Sequence, residues 1–309
     1  MRRAAALVLL AACTATEPAA PDLAWREHAP APTARTEAAA ATDGERIWIL
    51  GGFVEGGEST SAVERYDIEA DTWATGPELP VAVNHAMAAW GDGEIYLLGG
   101  YTDTLQTASS AAFVLREDRW EELPPMPQPR AAAGAAFAGG KLYVVGGIGP
   151  AGLANATLVY DPEAGSWDAV AGLVRPREHL GVASDGERIY AAGGREGALN
   201  FADGEVFDPA VGAWFALPDM PTARGGLAAA VTEGGQLVVP GGEEAAGTFE
   251  EVEAYDLEEE RWRTLPPLPT PRHGLGVVAV GDVVYVVTGG PDPGFAFSGA
   301  NESLDLSGV

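Results

Sequence analysis

The chain has 309 residues, 47% of them hydrophobic and 20% charged, and its 41 glycines and 23 prolines point to many tight turns rather than long helices. Its formal charge of −27 excludes the usual electrostatic route to nucleic acids and anionic lipid headgroups, which depends on Lys and Arg. The only cysteine, Cys13, leaves no partner for an intramolecular disulfide and no Cys-based metal cage.

The first twelve residues read as an export signal. Met1-Arg2-Arg3 supplies positive charge, and Ala4 to Leu10 is an apolar run of seven residues. Such a run is too short to span a bilayer, which takes roughly 20. The closing Leu10-Ala11-Ala12-Cys13 resembles the bacterial lipobox, and that resemblance implies lipidation of Cys13; an ordinary cleavable signal or an Ala-rich start is the other reading. Residues 1–12 are then a signal peptide and 13–22 a lipidated cysteine with a Pro/Ala/Thr tether. This places the protein outside the cytoplasm, anchored to a bacterial membrane at the outer membrane or cell surface.

From residue 23 to 309 the sequence repeats. Gly-Gly pairs begin at Gly51, Gly99, Gly146, Gly193, Gly241 and Gly289, at spacings of 48, 47, 47, 48 and 48 residues. Each follows a strand-like run such as Ile95-Tyr96-Leu97-Leu98 or Val284-Tyr285-Val286-Val287. Trp73, Trp120, Trp167, Trp214 and Trp262 follow the first five pairs by 21 or 22 residues. Six residues before four of these stands the Asp of Tyr66-Asp67, Tyr160-Asp161, Phe207-Asp208 or Tyr255-Asp256, suited to a hairpin turn. The second repeat has Phe113-Val114 at that place, and Leu304-Asp305 serves the sixth.

Each unit therefore predicts four short strands, with small residues on the innermost. One such sheet cannot bury both faces, but sheets stacked around an axis cover one another. The sixth repeat has no tryptophan after it. Trp25, 26 residues before Gly51, supplies one from the other terminus, so the segment from Leu23 to His28 is expected to complete the last sheet. This removes an open sheet edge. The double glycine, the Tyr-Asp and the spaced Trp resemble the Kelch repeat. The resemblance implies an all-β, six-bladed Kelch-type β-propeller whose last blade is closed by the N-terminal strand.

The resemblance also implies that ligands meet one face, where the turns leading into the innermost strands join the loops after Gly-Gly. Five of the six turns end in Arg: Arg35, Arg130, Arg177, Arg224 and Arg272. A repeated Arg is read as architectural, tying its turn to carbonyls or carboxylates of a neighbouring blade. The next two residues vary: Thr36-Glu37, Asn84-His85, Ala131-Ala132, Glu178-His179, Gly225-Gly226 and His273-Gly274. His85, His179 and His273 fall on alternate blades and could share the mouth of the pore. Three imidazoles could hold a borderline metal such as zinc, or join Glu37 and Glu178 around an acidic or sugar ligand. His273 stands one step out of register, and polar residues are ordinary in such turns, so no metal and no cofactor is assigned.

The loops after Gly-Gly add Phe53, Tyr101, Arg195 and Glu243. Glu37, Asn84, His85, Tyr101, Glu178, His179, Arg195 and His273 are the candidate ligand-binding residues. No triad-like signature and no phosphate loop accompany them, so binding of a protein or glycan is favoured, by a monomer without nucleic-acid partners. The alternative is an enzyme on the propeller face, by resemblance to Kelch-type sialic acid epimerases. Glu178, His179 and Arg177 or Arg195 would then act as base and polarising cation. A Kelch-type copper radical oxidase needs a cysteine joined to tyrosine, and Cys13 is not placed for that.

Overall fold

A computed structural model describes residues 23–102, 105 and 107–309. Cys13, the signal segment 1–12 and the tether 13–22 lie outside the described residues. Every regular element among the described residues is a β-strand. They form six four-stranded antiparallel sheets and three short two-stranded ribbons. Five sheets are built in chain order, the first from Ala39–Thr42, Arg46–Leu50, Val63–Asp67 and Thr72–Thr75. In the sixth, Gly276–Val280, Val283–Val287 and Asn301–Asp305 are joined at the outer edge by Trp25–Glu27 from the N-terminus. Trp25 pairs with Leu304 and Glu27 with Glu302, so the ring closes as the spacing of the tryptophans requires.

The core lies between blades. Met87, Tyr96 and Leu98 of the second blade pack with Leu142, Val144 and Tyr160 of the third. Ile47, Ile49 and Tyr66 of the first pack with Val278, Tyr285 and Val287 of the sixth. Small residues on the innermost strands are required by this crowding: a Cβ on Gly134 would stand 2.3 Å from Val182 Cγ2 of the next blade. Each strand-ending glycine is required as well. Gly51 has φ of 62°, and a Cβ there would stand 2.5 Å from the Val83 carbonyl oxygen.

The turn arginines are fully buried and structural. Their partners belong to their own blade, not to a neighbour as the sequence suggested. Arg35 donates to the carbonyls of Gly51 and Ala62 and pairs with Glu64 at 2.7 Å. Arg224 pairs with Glu253 at 2.8 Å, and Arg177 with Glu205 at 3.0 Å. A buried guanidinium needs such partners because desolvation of the charge is costly. The second blade, which has Val83 instead of Arg, places Phe113 in the same apolar cluster. An ion pair is replaced there by an apolar one.

Two registers differ from the sequence reading. In the second blade Leu115 opposes Trp120, so Leu115-Arg116 and not Phe113-Val114 holds the aromatic-Asp place. The cause is a tighter hairpin turning on Glu117 and Asp118, both with positive φ. In the sixth blade Thr288 takes the place of the first glycine, with φ of 56° against 57–67° at Gly51, Gly99, Gly146, Gly193 and Gly241. Gly289 is then the second residue and Gly290 the third, opposite His273.

Candidate functional site

The second residue of each variable pair has a left-handed backbone: Glu37, His85, Ala132, His179, Gly226 and Gly274 have φ between 50° and 66°. This turns each N–H along the rim of the central channel toward the preceding blade. Glu37 donates to Gly274 (2.8 Å), His85 to Glu37 (3.0 Å) and Ala132 to His85 (3.0 Å). His179 donates to Ala132 (2.9 Å), Gly226 to His179 (3.1 Å) and Gly274 to Gly226 (2.9 Å), which closes a six-membered circle of backbone hydrogen bonds. Four non-glycine residues in a region L-residues disfavour are held there by this circle.

The first residue of each pair bridges the loop after the glycines: Thr36 to Phe53, Asn84 to Tyr101, Ala131 to Ile148, Glu178 to Arg195, Gly225 to Glu243 and His273 to Gly290. The two sets of loops therefore form one face, as the family resemblance implied. At its centre is a cavity of about 380 Å³. Its floor carries Glu37, His85, Glu178, His179, Arg195, Glu243 and His273, and its wall includes Phe53, Tyr101, Ile148 and Phe295. On the channel side of the same circle lies a second cavity of about 350 Å³, lined by the innermost strands, whose alanines are its commonest residue.

All eight candidate residues meet here. Seven line the cavity, and Asn84 is buried behind His85, its Oδ1 2.6 Å from His85 Nδ1. The histidines do not form the symmetric triad that their spacing suggested. The ring centroids of His85 and His179 are 4.9 Å apart, whereas His273 lies one position out and faces Glu37 Oε1 (3.3 Å) and Glu243 Oε2 (3.5 Å). Glu37 takes the third place beside the two imidazoles, with Oε2 3.3 Å from His85 Nε2. Two glycines make this possible. A Cβ on Gly274 would stand 2.6 Å from Glu37 Oε1, and one on Gly290 would stand 2.7 Å from His273 Nε2.

The charges are tightly coupled. Arg195 lies between Glu243 Oε1 (2.7 Å) and Glu178 Oε1 (3.4 Å), and Glu178 also accepts from His179 Nδ1. Burial alone would raise the Glu37 carboxyl, but the imidazoles of His85, His273 and His179 hold it below the usual carboxylate range. Burial opposes the charge on Glu178 too, but His179 and Arg195 outweigh it and hold that carboxyl low as well. Burial pushes His85 down to about 4. His273 is raised against its own burial by the carboxylates of Glu37 and Glu243.

Phe295, Leu105 and Ile148 were not found from the sequence, although all three line the cavity. Phe295 had a signal: it is an aromatic in the Gly/Pro-rich stretch Pro291-Asp292-Pro293-Gly294 that follows the last glycine pair. Its ring packs against Phe53 at 5.1 Å while remaining 62% exposed.

Comparison with known proteins agrees with this architecture. Residues 84–290 match the family model described as the KLHDC2/KLHL20/DRC7 Kelch-repeats domain, and residues 34–80 match that of the Kelch motif. Kelch-like protein terF of Aspergillus terreus is 43% identical over 70 residues, covering 21% of this chain and 15% of that protein. Kelch-like protein 38 of Rattus norvegicus is 37% identical over 76 residues, covering 25% and 13%. Alpha-scruin of Limulus polyphemus is 36% identical over 78 residues, covering 25% and 8%. The chain thus aligns with a small part of each of these longer relatives. With the family model spanning 207 of its 309 residues (84 to 290), six sheets in a closed ring and a face built from the expected loops, the chain belongs to the Kelch-repeat family.

Proposed function

We propose that this chain is an exported, lipid-anchored binding module that seats a protein partner in the axial cavity. Kelch propellers generally bind proteins, and the cavity has the features of a protein-binding centre. The observation that carries the reading is the pairing of an aromatic wall, in which the exposed Phe295 packs on the buried Phe53, with a floor of largely buried, closely spaced charges. An aromatic anchor beside a desolvated polar centre is the pattern of an interaction hot spot. The chain's net charge of −27 favours a partner that brings basic side chains to this face. The Leu-Ala-Ala-Cys sequence supports the lipid anchor at Cys13.

A glycan is the second reading, supported by the same aromatics and by the amide and carboxylate groups around His85. Catalysis on an acidic sugar is less well supported. Arg195 is already shared by Glu178 and Glu243, and Glu37 and Glu178 are both pushed down rather than toward neutrality. A general base works best with a pKa near the operating pH.

The test is capture of protein partners and a glycan screen, run with the wild type and with Phe295→Asp. A bound protein released about tenfold or more by Phe295→Asp, at unchanged thermal stability, supports the reading. A glycan as the sole ligand, or partners indifferent to Phe53 and Phe295, would defeat it. Palmitate labelling that Cys13→Ala abolishes supports the anchor; equal labelling removes it.

A further inference from the structure

The floor of the cavity holds a set of lone pairs that its hydrogen bonds do not satisfy. Asn84 Nδ2 donates to the Tyr101 carbonyl (3.3 Å), which can only accept, and reaches Ser59 Oγ at 2.8 Å. The atom of Asn84 facing His85 Nδ1 is therefore the acceptor Oδ1, so that nitrogen carries a proton. His179 Nδ1 likewise donates to the Glu178 carboxylate, which Arg195 supports from its other oxygen. Both rings are thus fixed through Nδ1, and each leaves Nε2 as its lone pair. His85 Nε2 faces Glu37 Oε2 at 3.3 Å, an acceptor against an acceptor in a buried place. A cation between them resolves the conflict.

We propose that Glu37, His85 and His179 form a binding site for a divalent transition metal of the zinc class, with Asn84 and Glu178 orienting the two rings. One donor atom from each of the three lies within 4.8 Å of the others. Two donors about 2.1 Å from a tetrahedral ion stand about 3.4 Å apart, close to the separation already present between His85 and Glu37. Two imidazoles and one carboxylate select zinc or a neighbouring first-row ion over magnesium or calcium, which prefer oxygen alone. Metal-bound imidazoles commonly donate their other N–H to a carbonyl or carboxylate, and Asn84 and Glu178 provide those acceptors. The three residues line both the face cavity and the channel, so three protein ligands leave a coordination position open for a fourth group. The site does not depend on the protein-binding reading.

The experiment is calorimetric titration of the chelator-stripped full chain with zinc chloride, in excess magnesium that occupies surface carboxylates. One saturable site per chain is expected, and the titration goes flat in His85→Ala and in His179→Ala. Glu178→Gln, which leaves all three ligands in place, weakens zinc by about 10- to 100-fold. Cobalt added to the wild type gives visible ligand-field bands without a thiolate charge-transfer band, a readout that survives any misfolding of the variants. Flat wild-type titrations without cobalt bands would overturn the proposal. So would a thiolate band, which assigns the metal to Cys13, or zinc binding that persists in folded His85→Ala and His179→Ala.

Discussion

Trp25 Nε1 donates to the carbonyl oxygen of Pro266 at 3.0 Å, across 241 residues of sequence. The same bond recurs around the ring: Trp73 to Ala29, Trp120 to Pro77, Trp167 to Pro124, Trp214 to Ala171 and Trp262 to Pro218, all between 2.7 and 2.9 Å. Each outer-strand indole thus clasps the turn leaving the previous blade, and Trp25 completes the circle. Leu23 and Trp25 also pack against the core between the fifth and sixth blades. Trp25→Ala should therefore cost about 2–3 kcal/mol, less than a fully buried tryptophan because the residue is only half-buried. Removing residues 23–28 should do more, since it leaves Asn301–Asp305 as an open edge. Urea unfolding checks the first, and concentration-dependent association on size-exclusion chromatography checks the second. A stable monomer after the deletion would show that the closing strand is dispensable.

The ring was legible because its marks recur at fixed places on every blade. The 26-residue distance from Trp25 to Gly51 was enough to place the N-terminal strand beside Leu304. Spacing failed where a blade changed its loop length. The tighter turn at Glu117-Asp118 moved the aromatic place to Leu115, and Thr288 hid the first position of the last glycine pair behind a non-glycine residue. At the site, the aligned turns and the loops after the glycine pairs named eight residues that the fold gathers around one cavity, because they occupy equivalent positions on one frame. It could not reveal which side chains meet across blades. Glu37 touches His273, distant in sequence, only because the bare Gly274 leaves room for its carboxylate. The positive φ that aims each ring residue inward is a property of the hydrogen-bonded circle, with no residue type to announce it at His85 or Ala132.

Thr288 carries a conformational cost that can be removed. A β-branched residue at φ of 56° is strained, and the Thr288 hydroxyl is buried without a hydrogen-bond partner. The other five blades have glycine here. Thr288→Gly should therefore raise stability by about 1 kcal/mol, because relief of the backbone strain outweighs the packing of the small side chain that is removed. In a chain of this size that corresponds to an increase in Tm of about 2–4 °C. Differential scanning calorimetry decides it: a lower Tm would mean that the Thr288 methyl packs well enough to outweigh its backbone strain.

Asp203 gives the fold a defined acid sensitivity. It accepts from Arg175 Nη1 at 2.8 Å and pairs with the buried Arg177. Burial alone would raise its carboxyl, but the Arg177 and Arg175 guanidiniums hold it below the ordinary aspartate range. A carboxyl depressed in the folded state binds protons more readily when unfolded. Its contribution is therefore complete above the unfolded pKa of about 3.9 and fades as pH falls through the lower folded value. Asp203→Asn should be less stable than the wild type by about 1 kcal/mol at pH 7, a modest figure because the group is partly exposed and Arg177 keeps Glu205. The difference should hold from pH 7 to about 5 and shrink steadily below about 4. Urea midpoints of the two proteins across that range test the linkage. A gap that stays constant down to pH 3 would assign the loss to packing or hydrogen-bond geometry, and the charge of Asp203 would have no part in it.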